Sequence, residues 1–497
     1  MKALIRIACV VMVLCLTAVN TSFAEDIQVA GDSGKDLEYL QSVIDMIKDK
    51  YKDKITDEQL IEGAINGMFD TMDKYTDYYT REEAESFFSD IDGSYVGIGV
   101  RISSDTKEIL IVEVFAASPA DKAGIVNGDI ILSVDGLSLE GKSGDEAAQL
   151  IRGKAGTKVT LEIQRIGEKA PLKIDVERAE VKINPVSYNI SGDIGYIKLD
   201  IFNSNSNLNM KKALDEMDKS NIKKLVLDLR DNPGGEVGQV VKIAENFVPE
   251  GLITKLDFKS ERVKDEEYFS KNKALKYKLV VLVNESSASA SEILAGAVQD
   301  MKSGILVGTK TYGKGKVQNV YPVLSPEAFR KYEKKLGTKI VDGYDLMNNY
   351  DITPDEDEII GWTKITTGEY YTPNGRMIDG TGLQPDYYIE NTYIQNEVDL
   401  RTIKSLSKKV KPAINDKSID VINAEKILKF CGYSINQPDM LLDEQTSSAV
   451  REFQKDNGLY SYGVLDFATQ QALNDKLEKL ILQYDKQRAK AFELLED

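Results

Sequence analysis

The spacing of apolar residues changes along the chain, and each spacing predicts a different structure. Between residues 26 and 90, aliphatic side chains recur at helical spacing, which predicts a helical arm. Between 93 and 180, short apolar runs alternate with glycine turns, which predicts a β-rich unit with one helix near Asp145–Ile151. From 186 to 395, continuous apolar strands alternate with helical segments, the pattern of a buried sheet covered by helices.

Beyond about residue 415 the helical spacing returns, and this part contains an internal repeat. Asp443-Glu-Gln-Thr-Ser-Ser-Ala-Val450 recurs as Asp466-Phe-Ala-Thr-Gln-Gln-Ala-Leu473. Each aspartate is a predicted helix N-cap, and each alanine with its aliphatic neighbour is a predicted packing face. We expect the charged tail from Lys476 to Asp497 to be a solvated helix, and the polar segment 325–360 to be a surface insertion.

The amino terminus has the pattern of an export signal. Lys2 and Arg6 precede an apolar stretch from Ile7 to Val19, and Ser22-Phe-Ala24 matches a small-x-small cleavage site. That stretch is shorter than the roughly 20 residues that a membrane span needs, and an uncleaved membrane anchor is the alternative. We therefore expect an exported protein of the cell envelope or the extracellular space.

The net charge and the cysteine and histidine content argue against several classes of function and site. The formal net charge is −18, and removal of residues 1–24 would delete two further positive charges. A chain this acidic repels nucleic acid. Cys431 would be the only cysteine left, which excludes an intramolecular disulfide. The chain has no histidine, which argues against most zinc sites and removes the commonest general base, so we expect neither metal nor cofactor.

Ser289 is the candidate nucleophile. It lies between the apolar strand Leu279–Val283 and the helical segment Glu292–Val298. A serine at a strand-to-helix turn is exposed, and the helix amino terminus favours negative charge that develops there. Because Ser289-Ala-Ser-Glu292 also fits a capping box, a purely structural role is the alternative.

Lys314 and Gln318 are the candidates that would activate this serine. Glycines flank Lys314 on both sides and would let the backbone turn its side chain inward. A lysine base must be neutral, which requires burial to bring its pKa from about 10.4 towards 7 to 8. Gln318 could hold the amine without stabilising its charge. An extended segment would leave the two side chains on one face about 13 Å apart, so a contact would need the glycine bend.

A third motif, Asp231-Asn-Pro-Gly-Gly235, follows the strand Leu225–Leu229. Its glycine pair can present free backbone N–H groups beside the amide of Ala290, an arrangement that binds a developing oxyanion. A simple turn at the end of the strand is the alternative.

Five segments together resemble the carboxyl-terminal processing peptidases, the serine–lysine family S41 of tail-specific proteases. These are Gly93-Ser-Tyr-Val-Gly-Ile-Gly-Val100, Leu227-Asp-Leu-Arg-Asp-Asn-Pro-Gly-Gly235, Ser287-Ala-Ser-Ala-Ser-Glu292, Tyr312-Gly-Lys-Gly-Lys-Val-Gln318, and Tyr370-Tyr-Thr-Pro-Asn-Gly375 with Gly382-Leu-Gln-Pro-Asp386. The resemblance covers roughly residues 35–395. It implies an α/β core of the crotonase or ClpP type.

The same resemblance implies a role for each candidate. Ser289 would be the nucleophile, Lys314 the general base and Gln318 the residue that orients the base. The oxyanion would be bound by the amides of Ala290 and of Gly234 or Gly235. Two features depart from the family pattern: Ser286 replaces a frequent glycine, and the segment 325–360 is longer than usual.

The β-rich unit resembles a PDZ domain. The resemblance implies that the backbone N–H groups of Gly97, Ile98, Gly99 and Val100 bind a peptide's terminal carboxylate while the peptide adds as a strand. A β-rich spacer is the alternative. Arg152 is a candidate sensor of the bound tail, and a solvated surface charge is the simpler interpretation.

Residues 419–475 resemble a small helical peptidoglycan-binding domain, with Ala449-Val-Arg-Glu-Phe-Gln454 as the hallmark. A structural three-helix module without a ligand is the alternative, since the hallmark consists mostly of core positions. We expect Cys431 to have a buried, apolar role.

We therefore expect a multidomain α+β protein. Its predicted parts are a signal peptide (1–24), a helical amino-terminal arm (25–92), a PDZ domain (93–180), an α/β protease core (181–395), a peptidoglycan-binding-like domain (415–478) and a charged helical tail (479–497). The predicted function is that of an exported serine endopeptidase that recognises the C-termini of protein substrates through the PDZ domain, which would guide or gate cleavage.

Two other functions are compatible with the sequence. One is a catalytically degenerate, wall-associated peptide-binding scaffold, and the other is a serine esterase or amidase acting on cell-wall material. Besides protein substrates, the predicted partners are peptidoglycan and a second copy of the chain, held through the arm and the carboxyl-terminal region.

Overall fold

The computed structural model describes residues 33–103, 108–166, 168–260 and 263–496. The predicted signal at 1–24 lies outside this part. The chain forms two compact units, each assembled from separate segments. Of the described residues, those within Met1–Phe88, Lys255–Glu267 and Gly315–Tyr371 form the first unit, and those within Ser89–Thr254, Tyr268–Lys314 and Thr372–Asp497 form the second. Of the described helices, none combines the length and the apolar character that a membrane crossing requires.

The helices are numbered α1 to α14 in chain order. They are α1 Ser33–Lys50, α2 Asp57–Phe69, α3 Arg81–Asp92, α4 Pro119–Lys122, α5 Gly144–Ile151, α6 Ser206–Lys219, α7 Val237–Ala244, α8 Ala290–Asp300, α9 Pro326–Leu336, α10 Gly343–Tyr350, α11 Ile419–Phe430, α12 Glu444–Asp456, α13 Phe467–Tyr484 and α14 Lys486–Glu496.

The strands are numbered β1 to β21 in the same way. They are β1 Asp77–Thr80, β2 Ser94–Gly97, β3 Val100–Ile102, β4 Ile109–Val114, β5 Ile130–Val134, β6 Leu137–Ser138, β7 Lys158–Gln164, β8 Leu172–Glu177, β9 Ala179–Lys182, β10 Val186–Ser191, β11 Ile194–Leu199, β12 Lys224–Asp228, β13 Gly251–Phe258, β14 Glu266–Ser270, β15 Lys278–Val283, β16 Ile305–Gly308, β17 Lys316–Leu324, β18 Ile359–Tyr371, β19 Tyr387–Tyr388, β20 Ile394–Gln395 and β21 Val398–Asp399.

The first unit combines the arm helices with a sheet from distant parts of the chain. Strand β18 pairs antiparallel with β1, β13 and β17, and Asp77 stands opposite Lys364. The predicted insertion 325–360 contains α9 and α10, whose apolar residues form a small cluster with Ile340 and with Leu324 of β17. The insertion is therefore a folded helical pair and not an irregular loop.

The second unit contains the six-stranded sheet that carries the candidate site. Its order is β10-β11-β12-β15-β16-β19; β10 is antiparallel to β11, and all the other neighbours are parallel. The central strands are buried on both faces, as their continuous apolar sequences predict. Because parallel strands end at the same edge, the loops after β12, β15 and β16 emerge there together.

The carboxyl-terminal tail differs from our expectation of a solvated helix. On α14, Ala491 and Leu495 are fully buried and pack against Val226, Val280 and Leu282 of the sheet. Only the other faces of α14 carry the charges that dominate the sequence. The tail is thus an amphipathic helix that packs one face on the sheet. Its many Lys and Glu residues make this apolar face hard to recognise in the sequence.

The PDZ-like segment and the carboxyl-terminal segment each have their own core within the second unit. The PDZ sheet has the order β3-β4-β5-β7-β8, so β3 is an edge strand. In the carboxyl-terminal segment, Asp443 and Asp466 cap α12 and α13 by accepting from the N–H groups three residues on, which confirms both predicted N-caps. The α+β fold class is confirmed as well.

Candidate active site

Ser289 occupies a sharp turn between β15 and α8. Its backbone has φ 54° and ψ −116°, a conformation that residues with a side chain rarely adopt. Such strain persists only where neighbouring groups fix the backbone. Two neighbouring serines do so here, because the hydroxyl of Ser287 donates to Leu229 O at 2.8 Å and that of Ser291 donates to Asn232 O at 2.9 Å. Both are fully buried, whereas Ser289 is half-buried.

The glycine loop after β12 lies directly against this turn. A Cβ atom on Gly234 would lie 2.7 Å from the Cβ of Ser289 and 2.9 Å from the amide nitrogen of Ala290, so no side chain fits at this position. The backbone of Gly234 has φ 106°, which also favours glycine.

The two glycines differ in what their N–H groups do. That of Gly234 donates to Asn232 Oδ1 at 2.9 Å and is therefore occupied. In the described part of the chain, the N–H of the exposed Gly235 has no acceptor, and neither has that of Ala290 in the first turn of α8. Of the two alternatives that the sequence left open, this geometry favours Gly235.

Lys314 lies in the loop that joins β16 to β17, and the loop is tightly held. Gly313 has φ 86°, and a Cβ atom there would lie 2.8 Å from the backbone nitrogen of Gly382. The carbonyl of Gly313 accepts from the N–H of Gly380 at 2.9 Å. The side chain of Lys314 is half-buried.

Glu292 connects the two candidates, a role that sequence reasoning did not assign. Its Oε2 accepts from the N–H of Ser289 at 3.0 Å and from the N–H of Lys314 at 2.9 Å. Its Oε1 accepts from the N–H of Gly313 at 2.8 Å and from the hydroxyl of Thr311 at 2.6 Å. The nucleophile turn and the lysine loop are therefore joined through one carboxylate.

The environment of Glu292 is unusual for a carboxyl group. The residue is fully buried, and this burial raises its pKa, while the four donors oppose the rise. The capping-box spacing from Ser289 to Glu292 predicts the bond between the Glu292 carboxylate and the N–H of Ser289. The bonds to the 311–314 loop depend on a contact between distant segments, which the spacing does not predict.

Gln318 lies in the first unit, on β17. Its Nε2 donates to Thr366 Oγ1 at 3.3 Å, and that hydroxyl donates to Asp73 Oδ1 at 3.2 Å. The segment from Lys314 to Gln318 is not one regular extended strand, because β17 begins at Lys316 and the pairing shifts register between Val317 and Gln318.

The predicted carboxylate loop runs from Gly97, the last residue of β2, through Ile98 and Gly99 to Val100, the first residue of β3. Gly99 has φ 83°, and a Cβ atom on it would lie 2.3 Å from the Cβ of Ser118. Arg152 follows α5, and its side chain is exposed. The free edge of β3 is the strand edge to which an extended peptide can add.

Comparison with protein-family models matches four parts of the chain. Residues 193–389 match Peptidase family S41, and 110–165 match a PDZ domain. Residues 417–473 match a peptidoglycan binding domain, and 16–83 match the N-terminal domain of the activating protease CtpB.

Two sequence relatives agree with the match to the peptidase family. A probable CtpA-like serine protease of Staphylococcus haemolyticus is 33% identical over 414 residues, 83% of this chain and 74% of the relative. One from Staphylococcus aureus (strain COL) is 33% identical over 416 residues, with the same coverage of both chains. Among solved structures, the photosystem II D1 C-terminal processing protease is 26% identical, with a TM-score of 0.39 and coverage of 72% of this chain and 88% of that one.

The sequence relatives span most of this chain at an identity that establishes common descent. The chain belongs to peptidase family S41 and is a carboxyl-terminal processing serine protease with a PDZ domain.

Proposed function

We propose that Ser289 and Lys314 form the catalytic dyad of an endopeptidase that cuts substrates near their C-termini. The observation that carries this proposal is the shared acceptor Glu292, which holds the backbones of both residues. Ser289 Oγ attacks the scissile carbonyl while Lys314 Nζ takes its proton and then passes it to the leaving amine. Water then hydrolyses the acyl-enzyme, with the same amine as general base.

The oxyanion of each tetrahedral intermediate is bound by the amides of Ala290 and Gly235. Both donors are supplied by fixed backbone, so they need no reorganisation as charge develops. Gly234 supports the site differently: it packs against the serine turn, and its own N–H stays with Asn232. Gln318 orients the lysine amine in the catalytically competent arrangement.

Cleavage of casein by four forms of the full chain tests the dyad. We expect Ser289→Ala and Lys314→Ala to lose at least about 100-fold in kcat, the lower range for a general base. Lys310→Ala, which removes an exposed lysine of the same segment, should retain full activity. Retained cleavage by Ser289→Ala would favour a different nucleophile, whereas inactivity of the unaltered chain on every peptide tested would favour the degenerate scaffold.

We further propose that the PDZ domain delivers substrate tails and gates cleavage. The tail adds as a strand at the free edge of β3, and its carboxylate meets the Gly97–Val100 loop with Arg152 nearby. Deletion of residues 95–178 should change the cleavage rate of tailed substrates, and equal rates with and without the domain would contradict gating.

The location of the protein is a separate proposal. We propose that residues 1–24 direct export and are then removed, which places the enzyme in the cell envelope or outside the cell. Mass spectrometry of the mature amino terminus tests this, because recovery of an intact Lys2–Val19 segment in the membrane fraction would favour an anchored form.

For the carboxyl-terminal domain we propose binding to peptidoglycan. The rings of Tyr460 and Tyr462 lie 5.2 Å apart on the surface, and Tyr460 is 81% exposed. Paired exposed aromatic rings suit stacking on sugars. Tyr460→Ala should reduce co-sedimentation of the full chain with insoluble peptidoglycan, and Tyr350→Ala, an exposed tyrosine of the first unit, is the matched control.

A second copy of the chain is the proposed partner of the arm. Helix α1 exposes Leu37, Tyr39 and Leu40, and apolar surface of this kind is usually covered in an assembly. Sedimentation velocity of Leu37→Lys combined with Leu40→Lys tests this, since an unchanged molecular mass would contradict it.

A further inference from the structure

Two backbone hydrogen bonds to Phe202 fix the peptide groups on either side of Gly235. The N–H of Phe202 donates to the carbonyl of Gly234 at 2.8 Å, and the carbonyl of Phe202 accepts from the N–H of Glu236 at 2.8 Å. Because the N–H of a trans peptide lies opposite the preceding carbonyl, the N–H of Gly235 points away from Phe202. The position of Phe202 therefore sets the direction of the N–H group that the proposed oxyanion site uses.

A side chain from the loop after Phe202 holds the same glycine loop a second time. Ser204 Oγ donates to Glu236 Oε1 at 2.7 Å, while Asp92 Oδ1 lies at 3.4 Å from the same oxygen. A hydroxyl has a single proton, and the shorter distance assigns it to Glu236. The residue next to Gly235 is thus held through its backbone and through its carboxyl group.

This loop is also attached to the base of the PDZ domain, where the chain enters the domain at Gly93 and leaves it at Ile183. The side-chain amide of Asn205 uses both its hydrogens there, because Nδ2 donates to the carbonyls of Asp92 and Gly93 at 3.1 and 3.0 Å. The carbonyl of Gly93 also accepts from the N–H of Ile183 at 2.7 Å. The entry and the exit of the PDZ domain and the Asn205 side chain therefore meet at one carbonyl.

The contact between the base and the loop leaves no free space. A Cβ atom on Gly93 would lie 2.1 Å from Nδ2 of the buried Asn203. The N–H of Ser204 donates to the carbonyl of Ile91 at 3.3 Å, so the backbone of the loop is bonded to the same segment. The base is therefore seated directly on the residues that follow Phe202.

We propose that Ser204 and Asn205 are positioning residues that tie the oxyanion-binding N–H of Gly235 to the base of the PDZ domain. The oxyanion site is set only while the base is seated on the loop, and a shift of the base turns this N–H away from the reacting carbonyl. The inference rests on the proposed oxyanion role of Gly235 and adds a route from the PDZ domain to catalysis. Unlike the candidate sensor Arg152, this route needs no contact with the substrate tail.

Kinetics of Gly93→Ala and Asn205→Asp, alone and combined, test the route. Gly93→Ala pushes on the loop from the PDZ side, whereas Asn205→Asp replaces the donating amide with a carboxylate that repels the two carbonyls. With an internally quenched peptide as substrate, we expect each single variant to lower kcat about tenfold and to leave KM unchanged. This is part of the roughly 100-fold loss that removal of a whole oxyanion donor causes.

The double variant shows whether the two changes act through one route. If they do, its kcat should be about that of the slower single variant, because a broken route cannot be broken again. A loss of about 100-fold in the double variant, the product of two independent effects, would overturn the proposal.

Two control variants separate positioning from strain and lost stability. Gly192→Ala adds a side chain at φ 62°, close to the φ 58° of Gly93, but with no atom within 4 Å of the new Cβ. Asn246→Asp removes an amide that donates to two carbonyls in the last turn of α7. Both controls should keep the kcat of the parent chain. A tenfold loss in either control would assign the effect to strain or instability and overturn the proposal.

A peptide boronate gives a readout that does not depend on turnover, because it forms a tetrahedral adduct with a serine hydroxyl. Its inhibition constant should rise in Gly93→Ala and Asn205→Asp by about the factor by which kcat falls. Equal inhibition of the variants and the parent chain would overturn the link between the base and the oxyanion site while leaving the dyad intact. Equally strong binding to Ser289→Ala would instead contradict Ser289 as the nucleophile.

Hydrogen exchange of the Phe202 and Glu236 amides measures the positioning contacts directly. Ser204→Ala, which removes only a hydroxyl, is the milder change for this measurement. We expect faster exchange of both amides in Ser204→Ala and in Asn205→Asp than in the parent chain. Unchanged exchange together with a lower kcat would overturn the route through Phe202.

Discussion

At the residue scale, Glu292 is the group whose removal most directly tests how the site is held. Glu292→Gln preserves volume but replaces one acceptor oxygen with an NH2 group. Either Ser289 and Lys314 or Thr311 and Gly313 would then face a donor, and buried donors without partners each cost about 1 to 3 kcal/mol. We expect kcat to fall at least about tenfold while the circular dichroism spectrum stays native.

The matched control is Glu285→Gln, an exposed glutamate four residues before Ser289. It should leave kcat unchanged. Full activity of Glu292→Gln would show that the carboxylate does not position the two residues, and it would remove the main support for the proposed dyad.

The same residues show how far a sequence can predict a site. The strand, the serine and the helix start are local features, and the turn at Ser289 follows from them. The choice between Gly234 and Gly235 depends on Asn232, whose side chain takes one N–H only because the loop folds back on itself. The bonds from Gly313 and Lys314 to Glu292 join positions more than 20 residues apart, and no local pattern encodes them.

At the scale of elements, the junction between α13 and α14 is tied to the loop that carries Gly235. Arg230, two residues after β12, donates to Asp228 and also to Asp485 at 2.8 and 2.9 Å. All three side chains are buried. Although burial alone would raise it, Arg230 holds the pKa of Asp228 below its usual range. The tail therefore supports the base of the loop that carries Gly235.

Asp485→Asn should accordingly weaken both the fold and the activity. Breaking a buried ion pair costs up to about 3 to 5 kcal/mol. Because Asp228 still neutralises part of the charge of Arg230, we expect the free energy of unfolding measured in urea to fall by about 2 kcal/mol. Glu493→Gln removes an exposed charge of α14 and should change nothing. A variant as stable as the parent chain would contradict the structural role of the tail.

Glu425 on α11 gives the carboxyl-terminal domain a defined pH dependence. Burial raises its pKa to about 7, and its oxygens accept from the hydroxyl of Thr446 and the N–H of Asp439. Ionisation of a carboxyl group whose pKa is raised on folding destabilises the folded state. The free energy of unfolding therefore falls as pH rises from the group's unfolded pKa to about 7. We expect a higher Tm of this domain at pH 5.5 than at pH 8.5.

Glu425→Gln separates this group from the other acids, because it cannot ionise. Calorimetry of the full chain should show a smaller difference between the two pH values in the variant than in the parent. The same pH response in both chains would show that Glu425 does not cause the effect.

At the scale of the whole molecule, domain types were predictable and the assembly of the units was not. Each motif lies within a short segment, and family matches agree with the PDZ, protease and peptidoglycan-binding predictions. The first unit joins three distant segments through pairs such as Asp77 with Lys364. Such pairing depends on packing between distant segments. The alternation of apolar and polar residues along one strand does not predict which strand it pairs with.

Within the second unit, the PDZ domain is docked on the peptidoglycan-binding-like carboxyl-terminal domain. Met440 is buried with Leu110 and Ile130 of the PDZ sheet, and Ile419 packs on the same cluster. The ion pair between Lys417 and Glu108, at 2.7 Å, is exposed. Exposed pairs contribute at most about 1 kcal/mol, whereas a buried methionine contributes about 2 kcal/mol, so the apolar cluster dominates the docking.

Met440→Asp should therefore release the PDZ domain, while Lys417→Ala should not. Hydrogen exchange in Ile109–Val114 measures the release, because β4 loses its cover when the domains part. If docking restrains the PDZ domain, cleavage of tailed substrates should change along with the exchange rate. Met377→Asp, at an exposed methionine of the second unit, controls for the added charge. Unaltered exchange in Met440→Asp would show that the two domains are held by something other than this cluster, and the link between tail recognition and the carboxyl-terminal domain would then lose its physical basis.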